Sequence, residues 1–230
     1  MKPLISRRAL TVLGLSFPLI PLAGCVTRLG DVPGLEEAVR RLLTLSAQRA
    51  FARLAVENGF FADELARVNL PSQLGGSAFA RAFAVLLGSA EVQDRLLRLV
   101  NAAAVEGARA AAPMVYDAIR GMSIADAVAI VRGGPTSATD YLQRELGEGL
   151  FNAMYRPVGG FLRMADEGLV TRALRITTGI DFPGLQADVT RKAALGLYRA
   201  IGREEAAIRA NPGAAGDPVL AGVLGFGRRR

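Results

Sequence analysis

The chain has 230 residues, 51% of them hydrophobic and 21% charged, and its formal net charge is +7. This length suffices for one sizeable domain or two small ones, and the composition is apolar enough to form a core. The absence of histidine excludes Ser-His-Asp catalysis and His-ligated zinc, and a single cysteine excludes an internal disulfide and Cys-x-x-Cys sites.

The first 24 residues have the pattern of a secretory signal peptide. Lys2, Arg7 and Arg8 form a basic start, and a mostly apolar run follows from Ala9 to Leu22. This run is too short to cross a bilayer as a helix, which takes about 20 residues. The combination predicts a signal peptide over residues 1–24 that is removed on export.

The last residues of that segment, Leu22-Ala23-Gly24-Cys25, resemble the lipobox of bacterial lipoproteins. The resemblance implies that signal peptidase II recognises Leu22, Ala23 and Gly24. It also implies that the sulfur of Cys25 receives a diacylglycerol before cleavage just ahead of it, so that the mature protein is held at a membrane by its N-terminal lipid. The alternative is an ordinary signal peptide with an incidental cysteine.

Two further features bear on export and sorting. Ser6-Arg7-Arg8-Ala9-Leu10 resembles the twin-arginine export signal, which a receptor reads. The general and the twin-arginine routes both stay open, because paired arginines are common by chance in an Arg-rich chain. Val26 follows the cysteine, where an aspartate would resemble the inner-membrane retention signal. The resemblance therefore favours the outer membrane, with the domain facing the periplasm.

Processing lowers the net charge. Without residues 1–24 the charge is +4, and without Arg228-Arg229-Arg230 as well, residues 25–227 carry +1. This nearly neutral body lacks the basic stripe with interleaved aromatics that nucleic-acid binding requires, so no nucleic-acid partner is predicted. The basic tail over 226–230 either touches anionic lipid head groups or is a solvated terminus.

After a tether over residues 25–34, apolar residues recur at helical spacing through the chain. Residues 60–76 are predicted to be a long connection with one short helical turn, and 178–184 a loop. The pattern predicts helices over about 35–57, 77–87, 91–111, 113–120, 124–132, 137–156, 161–167, 167–176 and 185–210.

Particular residues set the predicted boundaries. Asp31 is a candidate cap for the first helix, and Ser123 with Asp126 forms a capping box for the helix from Ile124. Pro113 is expected to open a new helix, because proline is tolerated in a first turn. Pro157 and Gly159-Gly160 are expected to interrupt the helix that starts near Ser137.

These patterns predict an all-α protein, an irregular multi-helix bundle of seven to nine helices in a single domain over residues 35–225. No segment shows the alternation of several strands, and no internal repeat of fixed period is present. Neither a cofactor nor a metal site is predicted, since no loop has the dense Asp/Asn/Gly pattern that calcium loops use.

Two stretches of the chain resemble an uncharacterised bacterial family, domain of unknown function 4197. The first runs from Pro113 through Met114-Val115-Tyr116-Asp117 to Leu142, and the second from Thr190 to Pro212. The resemblance covers roughly residues 35 to 225. It implies an exported helical domain, because members typically carry lipoprotein or signal sequences, and it implies no particular activity.

Several side chains are candidates for chemistry. Tyr116 and Asp117 lie on an apolar helix, where a buried Asp117 paired with an arginine would mark a pocket, and Asp140 and Tyr141 lie near another helix start. These four residues form the candidate pocket. The adjacent Glu204-Glu205 pair diverges by about 100° on a helix, so the two carboxylates cannot face one substrate atom.

Three functions follow, in order of support from the sequence. The first is a non-enzymatic, periplasm-facing lipoprotein that binds another envelope component. The second is a carrier or sensor of an apolar, lipid-like ligand, for which six phenylalanines are the candidate lining: Phe60, Phe61, Phe79, Phe83, Phe151 and Phe161. The third is a hydrolase that uses carboxylates or a tyrosine.

Overall fold

The computed structural model of the protein describes residues 34–70, 90–164 and 182–226. The helices there are α1 (Leu35–Leu54), α2 (Gly59–Ala62), α3 (Ala90–Arg120), α4 (Ile124–Arg132), α5 (Ser137–Met164), α6 (Phe182–Ala210) and α7 (Pro218–Phe226), with a 3₁₀ turn over Pro212–Ala215. These seven α-helices confirm the all-α prediction and the predicted single domain.

Several predictions lie outside the described residues. They are the signal peptide with Arg7, Arg8, Leu22, Ala23, Gly24 and Cys25, the cap at Asp31, the helices over 77–87 and 167–176, and Arg228-Arg229-Arg230 of the basic tail. Within the described part, the capping box at Ser123 is confirmed. The Ser123 hydroxyl accepts from the Asp126 backbone at 3.2 Å, and the Asp126 carboxylate accepts in return from the Ser123 backbone.

The predicted boundary at Pro113 is wrong, because α3 is one helix of 31 residues that runs through the proline. Pro113 is exposed, and so is Arg109, the residue whose carbonyl loses its helical partner. On the opposite face the buried stripe continues without a break through Ala108, Ala111, Val115 and Ile119. Packing of this stripe outweighs the local cost of the proline. The predicted end at Gly121 is confirmed.

The predicted interruption at Pro157 and Gly159-Gly160 is also wrong, since α5 continues to Met164. A Cβ on Gly159 would lie 2.2 Å from the side chain of Gln186, so this glycine permits close packing of α5 against α6. The break in α5 lies instead at Gly147, whose φ of 46° and ψ of −130° are not helical. Similarly, α6 begins at Phe182, inside the loop predicted over 178–184.

The core forms where α3, α5 and α6 pack together, with α1 lying against α6 and α3. Small residues allow α3 to approach α5 closely: a Cβ on Gly107 would lie 2.8 Å from the side chain of Val158. The largest fully buried side chains are Phe60, Leu42, Leu43, Leu54, Ile119, Met122, Ile130, Leu142, Leu150, Met154, Leu197 and Ile201. Every long helix of the described residues contributes to this one core.

The short helix α7 packs against α1 near the start of the domain. The carboxylate of Asp217 accepts hydrogen bonds from the backbone nitrogens of Val219 and Leu220, and so caps α7. The same carboxylate lies 3.2 Å from the guanidinium of Arg41 on α1. This contact fixes the beginning of α7 to the second turn of α1.

Candidate functional site

The candidate pair on α3 is not a buried site. Asp117 does pair with an arginine, Arg120, but 64% of the Asp117 side chain is exposed and the two residues are neighbours on one helix face. Tyr116 is half-buried, with its ring centroid 5.9 Å from that of Phe51. Burial raises the pKa of Tyr116 above its ordinary value, which disfavours the phenolate that a nucleophile or base would need.

The candidate pair on α5 is divided between surface and core. Asp140 is exposed, and its backbone nitrogen donates to the carbonyl of Thr136. Tyr141 is buried, and burial, together with the charges of Glu145 and Asp126, raises its pKa. Among the described hydrogen bonds and ion pairs, none joins the candidate residues of α3 to those of α5.

The best-defined polar cluster surrounds Glu205, which is fully buried on α6. One carboxylate oxygen accepts from the backbone nitrogen of Ala138 at 3.0 Å, and the other accepts from the nitrogen and hydroxyl of Thr139, each at 2.8 Å. These groups form the first turn of α5, where unpaired N–H groups and the helix dipole favour a negative charge. Glu205 therefore caps a helix to which it does not belong.

Arg209 completes this cluster, which we call the Glu205 cluster. Its Nε lies 2.8 Å from Glu205, and its Nη2 donates both to the carbonyl of Ile130 at 3.2 Å and to the hydroxyl of Ser137 at 3.0 Å. The cluster thus links the end of α4, the start of α5 and α6. Burying a charge is costly unless it is paired and hydrogen-bonded, and here both conditions are met.

Two more carboxylates are buried, and both pair with arginines across the fold. Asp63 meets Arg203 through two hydrogen bonds at 2.7 and 3.1 Å, and it accepts from the backbone of Leu65 and Ala66. The hydrogen bond from Arg203 holds the pKa of Asp63 below its ordinary value. Glu204 lies 3.0 Å from Arg53 on α1. Adjacent Glu204 and Glu205 thus face different helices, as their spacing predicts.

The sequence of α6 contains one sign of the Glu205 cluster, which the spacing of the apolar residues alone does not show. Buried positions on α6 recur at Leu197, Ile201 and Ile208, and Glu205 falls on this stripe four residues after Ile201 and three before Ile208. A carboxylate on an apolar stripe predicts a buried, paired charge. Its partners at 138–139 lie more than 60 residues away, and the periodicity of α6 does not indicate them.

The segment after α2 is held by another buried polar side chain. The amide of Asn101, which is 1% exposed, accepts from the backbone nitrogen of Val68 at 2.8 Å and donates to the carbonyl of the same residue at 2.9 Å. Asn101 thereby satisfies both backbone groups of a residue that belongs to no helix. This contact places residues 67–70 against α3.

Two open surface grooves flank the bundle. The Phe161 groove, of about 560 Å³, lies beside the end of α1 and is lined by Glu57, Asn58, Arg95, Arg98, Leu99, Ala102, Val105, Glu106, Arg109 and Phe161. The Asp217 groove, of about 570 Å³, lies between α1, the end of α3 and the start of α7. Arginines line both grooves, but acidic residues pair with them, including Glu106 with Arg109 and Glu37 with Arg41. Neither groove is therefore a strongly cationic site.

Of the six phenylalanines proposed as the lining of an apolar pocket, the four that the structure describes do not line one common space. Phe60 is fully buried in the core, whereas Phe61 is half-buried beneath the guanidinium groups of Arg67 and Arg98. Phe151 stacks obliquely on Tyr155, and Phe161 lines its groove. Phe79 and Phe83 lie outside the described residues. The described phenylalanines thus serve packing and surface contacts.

The described residues contain no group of three or more acidic, cysteine or histidine side chains placed to bind a metal ion. None of their helices combines the length and the hydropathy needed to span a bilayer.

The model of one protein family, described as a protein of unknown function (DUF4197), matches residues 32–225. The chain belongs to the DUF4197 family. This confirms the resemblance carried by the Pro113–Leu142 and Thr190–Pro212 stretches. Comparisons with curated proteins and with solved structures found no match.

The family match includes every contact of the Glu205 cluster and both buried Arg–carboxylate pairs. In this DUF4197 domain these charges join helices that are distant in the chain. A general acid or base must reach a substrate, and the three buried carboxylates instead contact arginines and backbone groups. Chemically, the arrangement stabilises a helical scaffold.

Proposed function

We propose that this DUF4197 protein is a non-enzymatic lipoprotein of the bacterial envelope, anchored in the outer membrane through Cys25 and facing the periplasm, where it binds another envelope protein. The observation that carries the non-enzymatic part is the engagement of Asp63, Glu204 and Glu205 by arginine partners. The lipobox resemblance at Leu22–Cys25 supports the anchor.

The anchor is tested by expressing the full chain in a bacterium with two membranes and separating those membranes on a density gradient. The wild-type protein should reach the outer membrane, with an intact mass that includes a diacylglycerol on Cys25. Cys25→Ala should leave the chain uncleaved or soluble, because the thiol that carries the lipid is gone. A Cys25→Ala chain that is processed and fractionated like the wild type would refute the anchor.

A matched variant tests the sorting. Val26→Asp keeps the cysteine and the lipobox but places an aspartate after the lipidated residue, so the lipoprotein should remain in the inner membrane. Equal amounts of lipid on the wild-type and Val26→Asp proteins separate sorting from lipidation. Unchanged outer-membrane localisation of Val26→Asp would contradict the sorting proposal.

Partner binding is tested with a photo-crosslinking residue placed at Gln48, in the Asp217 groove, and at exposed Glu148 for comparison. Binding of an envelope protein through the groove should give one defined adduct from position 48 in intact cells and none from position 148. Identical adducts at both positions, or none at either, would argue against this groove as the contact.

A further inference from the structure

The helix α7 has an unusual composition for the surface of a bundle. Its sequence, Pro-Val-Leu-Ala-Gly-Val-Leu-Gly-Phe, contains no polar side chain in nine residues. Leu220 is buried, but Val219 and the residues from Ala221 to Leu224 are only half-buried. A surface helix ordinarily carries polar residues on its outer face, and a helix that is apolar all round is ordinarily enclosed by protein or membrane.

The residues that follow α7 indicate what meets its outer face. Arg228, Arg229 and Arg230 come two residues after Phe226, so the chain joins an apolar helix directly to three positive charges. Binding of a protein segment to the interface of a bilayer strengthens with the apolar area that it buries and with the attraction of its basic residues to anionic lipids. A second copy of this chain fits less well, because a symmetric contact through α7 would bring two groups of three arginines together.

The position of α7 relative to the anchor supports the same partner. Asp217 meets Arg41, which lies six residues, or about 9 Å, along α1 from Leu35. The tether from Cys25 to Gly34 spans at most about 35 Å, and α7 is about 14 Å long. A domain tethered through Cys25 therefore carries α7 within reach of the same membrane surface.

We propose that α7 and Arg228-Arg229-Arg230 form a second membrane contact, specific for anionic phospholipid, which orients the tethered domain with the start of α1 towards the bilayer. This proposal rests on the lipid anchor of the proposed function. Each basic residue near an anionic surface strengthens such a contact about fivefold, so three arginines together favour the docked orientation about 100-fold. The attraction weakens as salt rises, because exposed charges are screened.

The chain contains no tryptophan, so one introduced tryptophan is an unambiguous probe of depth. Gly222 on α7 has open space where a side chain would begin, and so does Gly160 on α5. Gly160 precedes Phe161, whose groove lies beside the end of the 20-residue α1 that is remote from Leu35. Gly222→Trp is the test variant and Gly160→Trp its matched control. For both, the mature chain is coupled through the Cys25 sulfur to a maleimide phospholipid, which keeps the anchor independent of processing in cells.

The measurement is quenching of tryptophan emission by brominated phosphatidylcholine in vesicles with and without phosphatidylglycerol. Quenching in Gly222→Trp should be severalfold stronger than in Gly160→Trp, and only when phosphatidylglycerol is present. Replacing all three arginines by serine should remove the difference. Equal quenching at the two positions would overturn the proposal. Quenching of Gly222→Trp that depends neither on phosphatidylglycerol nor on the three arginines would also overturn it, and so would self-association through α7 on neutral vesicles.

The unmodified sequence provides a second measurement that does not depend on tolerance of the new side chain. Amide hydrogen exchange of residues 219–224 should slow on phosphatidylglycerol vesicles relative to neutral ones, while exchange in α2 stays the same. Unchanged exchange in α7 would contradict the contact. Absence of lipid on Cys25 in cells would instead overturn the proposed function alone, because the anchor in these vesicles is chemical.

Discussion

Glu205 accepts two hydrogen bonds from a single residue of another helix, the backbone nitrogen and the hydroxyl of Thr139, each at 2.8 Å. The residue that caps α5 therefore comes from α6, 66 positions later in the chain. A cap supplied by a distant helix stabilises the helix end and the packing of the two helices together.

Glu205→Gln should lower the free energy of unfolding by about 3 kcal/mol, because removing one partner of a buried pair leaves the other charge without compensation. The uncompensated charge is that of Arg209, whose side chain is 13% exposed. Urea unfolding followed by circular dichroism measures the change. Glu148→Gln, on the exposed face of α5, is the control and should cost less than about 0.5 kcal/mol. A loss below about 1 kcal/mol in Glu205→Gln would contradict the role of the cluster.

Asp63→Asn should destabilise the protein in a way that depends on pH. The hydrogen bond from Arg203 lowers the pKa of Asp63 in the folded state below its ordinary value of 3.8. The ionised carboxylate therefore stabilises the fold fully above pH 3.8, and this stabilisation is lost as the pH falls through the folded pKa. The gap between wild type and Asp63→Asn should be about 2 kcal/mol near pH 6 and should shrink towards pH 3.

Unfolding in urea at a series of pH values measures this gap. Glu64→Gln is its control, since Glu64 is the exposed neighbour of Asp63 and should leave the stability profile unchanged. A gap of constant size between neutral and acidic pH would show that ionisation of Asp63 does not contribute.

Gly147→Ala should cost about 2 kcal/mol, because the φ of 46° at the break in α5 strains any residue with a side chain. The space around Gly147 is open, so the cost arises in the backbone and not from a clash. Gly160→Ala is the matched control, since Gly160 lies in the same helix and also has open space around it. It should stabilise the protein by about 0.5 to 1 kcal/mol. Thermal unfolding of both variants measures the two changes in stability. Equal changes would contradict the non-helical backbone conformation at Gly147.

Tyr198→Phe should raise the free energy of unfolding by about 1 kcal/mol, because the buried hydroxyl of Tyr198 has no hydrogen-bond partner among the described residues. Burial raises the pKa of Tyr198 to about 12, so absorbance titration of the folded wild type should show a last tyrosine ionisation, later than those of Tyr116 and Tyr141, that the variant lacks. Tyr155→Phe, at a half-buried position, should leave that late phase in place. A Tyr198→Phe protein that is less stable than the wild type would indicate that the hydroxyl of Tyr198 has a hydrogen-bond partner.

Periodicity of the apolar residues predicted the helices well because burial of one face determines both the pattern and the structure. It predicted α1 from Leu35 and the end of α6 at Ala210. Local signals did equally well where the chemistry is local, as at Ser123 and Asp126. The local signal of the proline failed at Pro113, because the buried stripe through Val115 and Ile119 continues past it.

The features that the sequence did not indicate depend on partners far away in the chain. From the sequence alone Gly159 is read as a helix breaker, whereas in the structure it makes room for the side chain of Gln186. No residue near Gly147 indicates that the break in α5 lies there. The pairs Asp63 with Arg203 and Arg53 with Glu204 join residues 140 and 151 positions apart. Their geometry follows from how the helices pack, so spacing within one helix cannot predict it.

The location of these contacts has a consequence for how the protein is made. Residues 203 to 209 on α6 have partners on α1, on the segment between α2 and α3, on α4 and on α5, so these particular contacts form only after nearly the whole chain has left the ribosome. Until then α1, α3 and α5 are without the helix that covers their apolar faces. The export proposed for this protein therefore requires that the domain cross the membrane either entirely unfolded, under the protection of chaperones, or entirely folded.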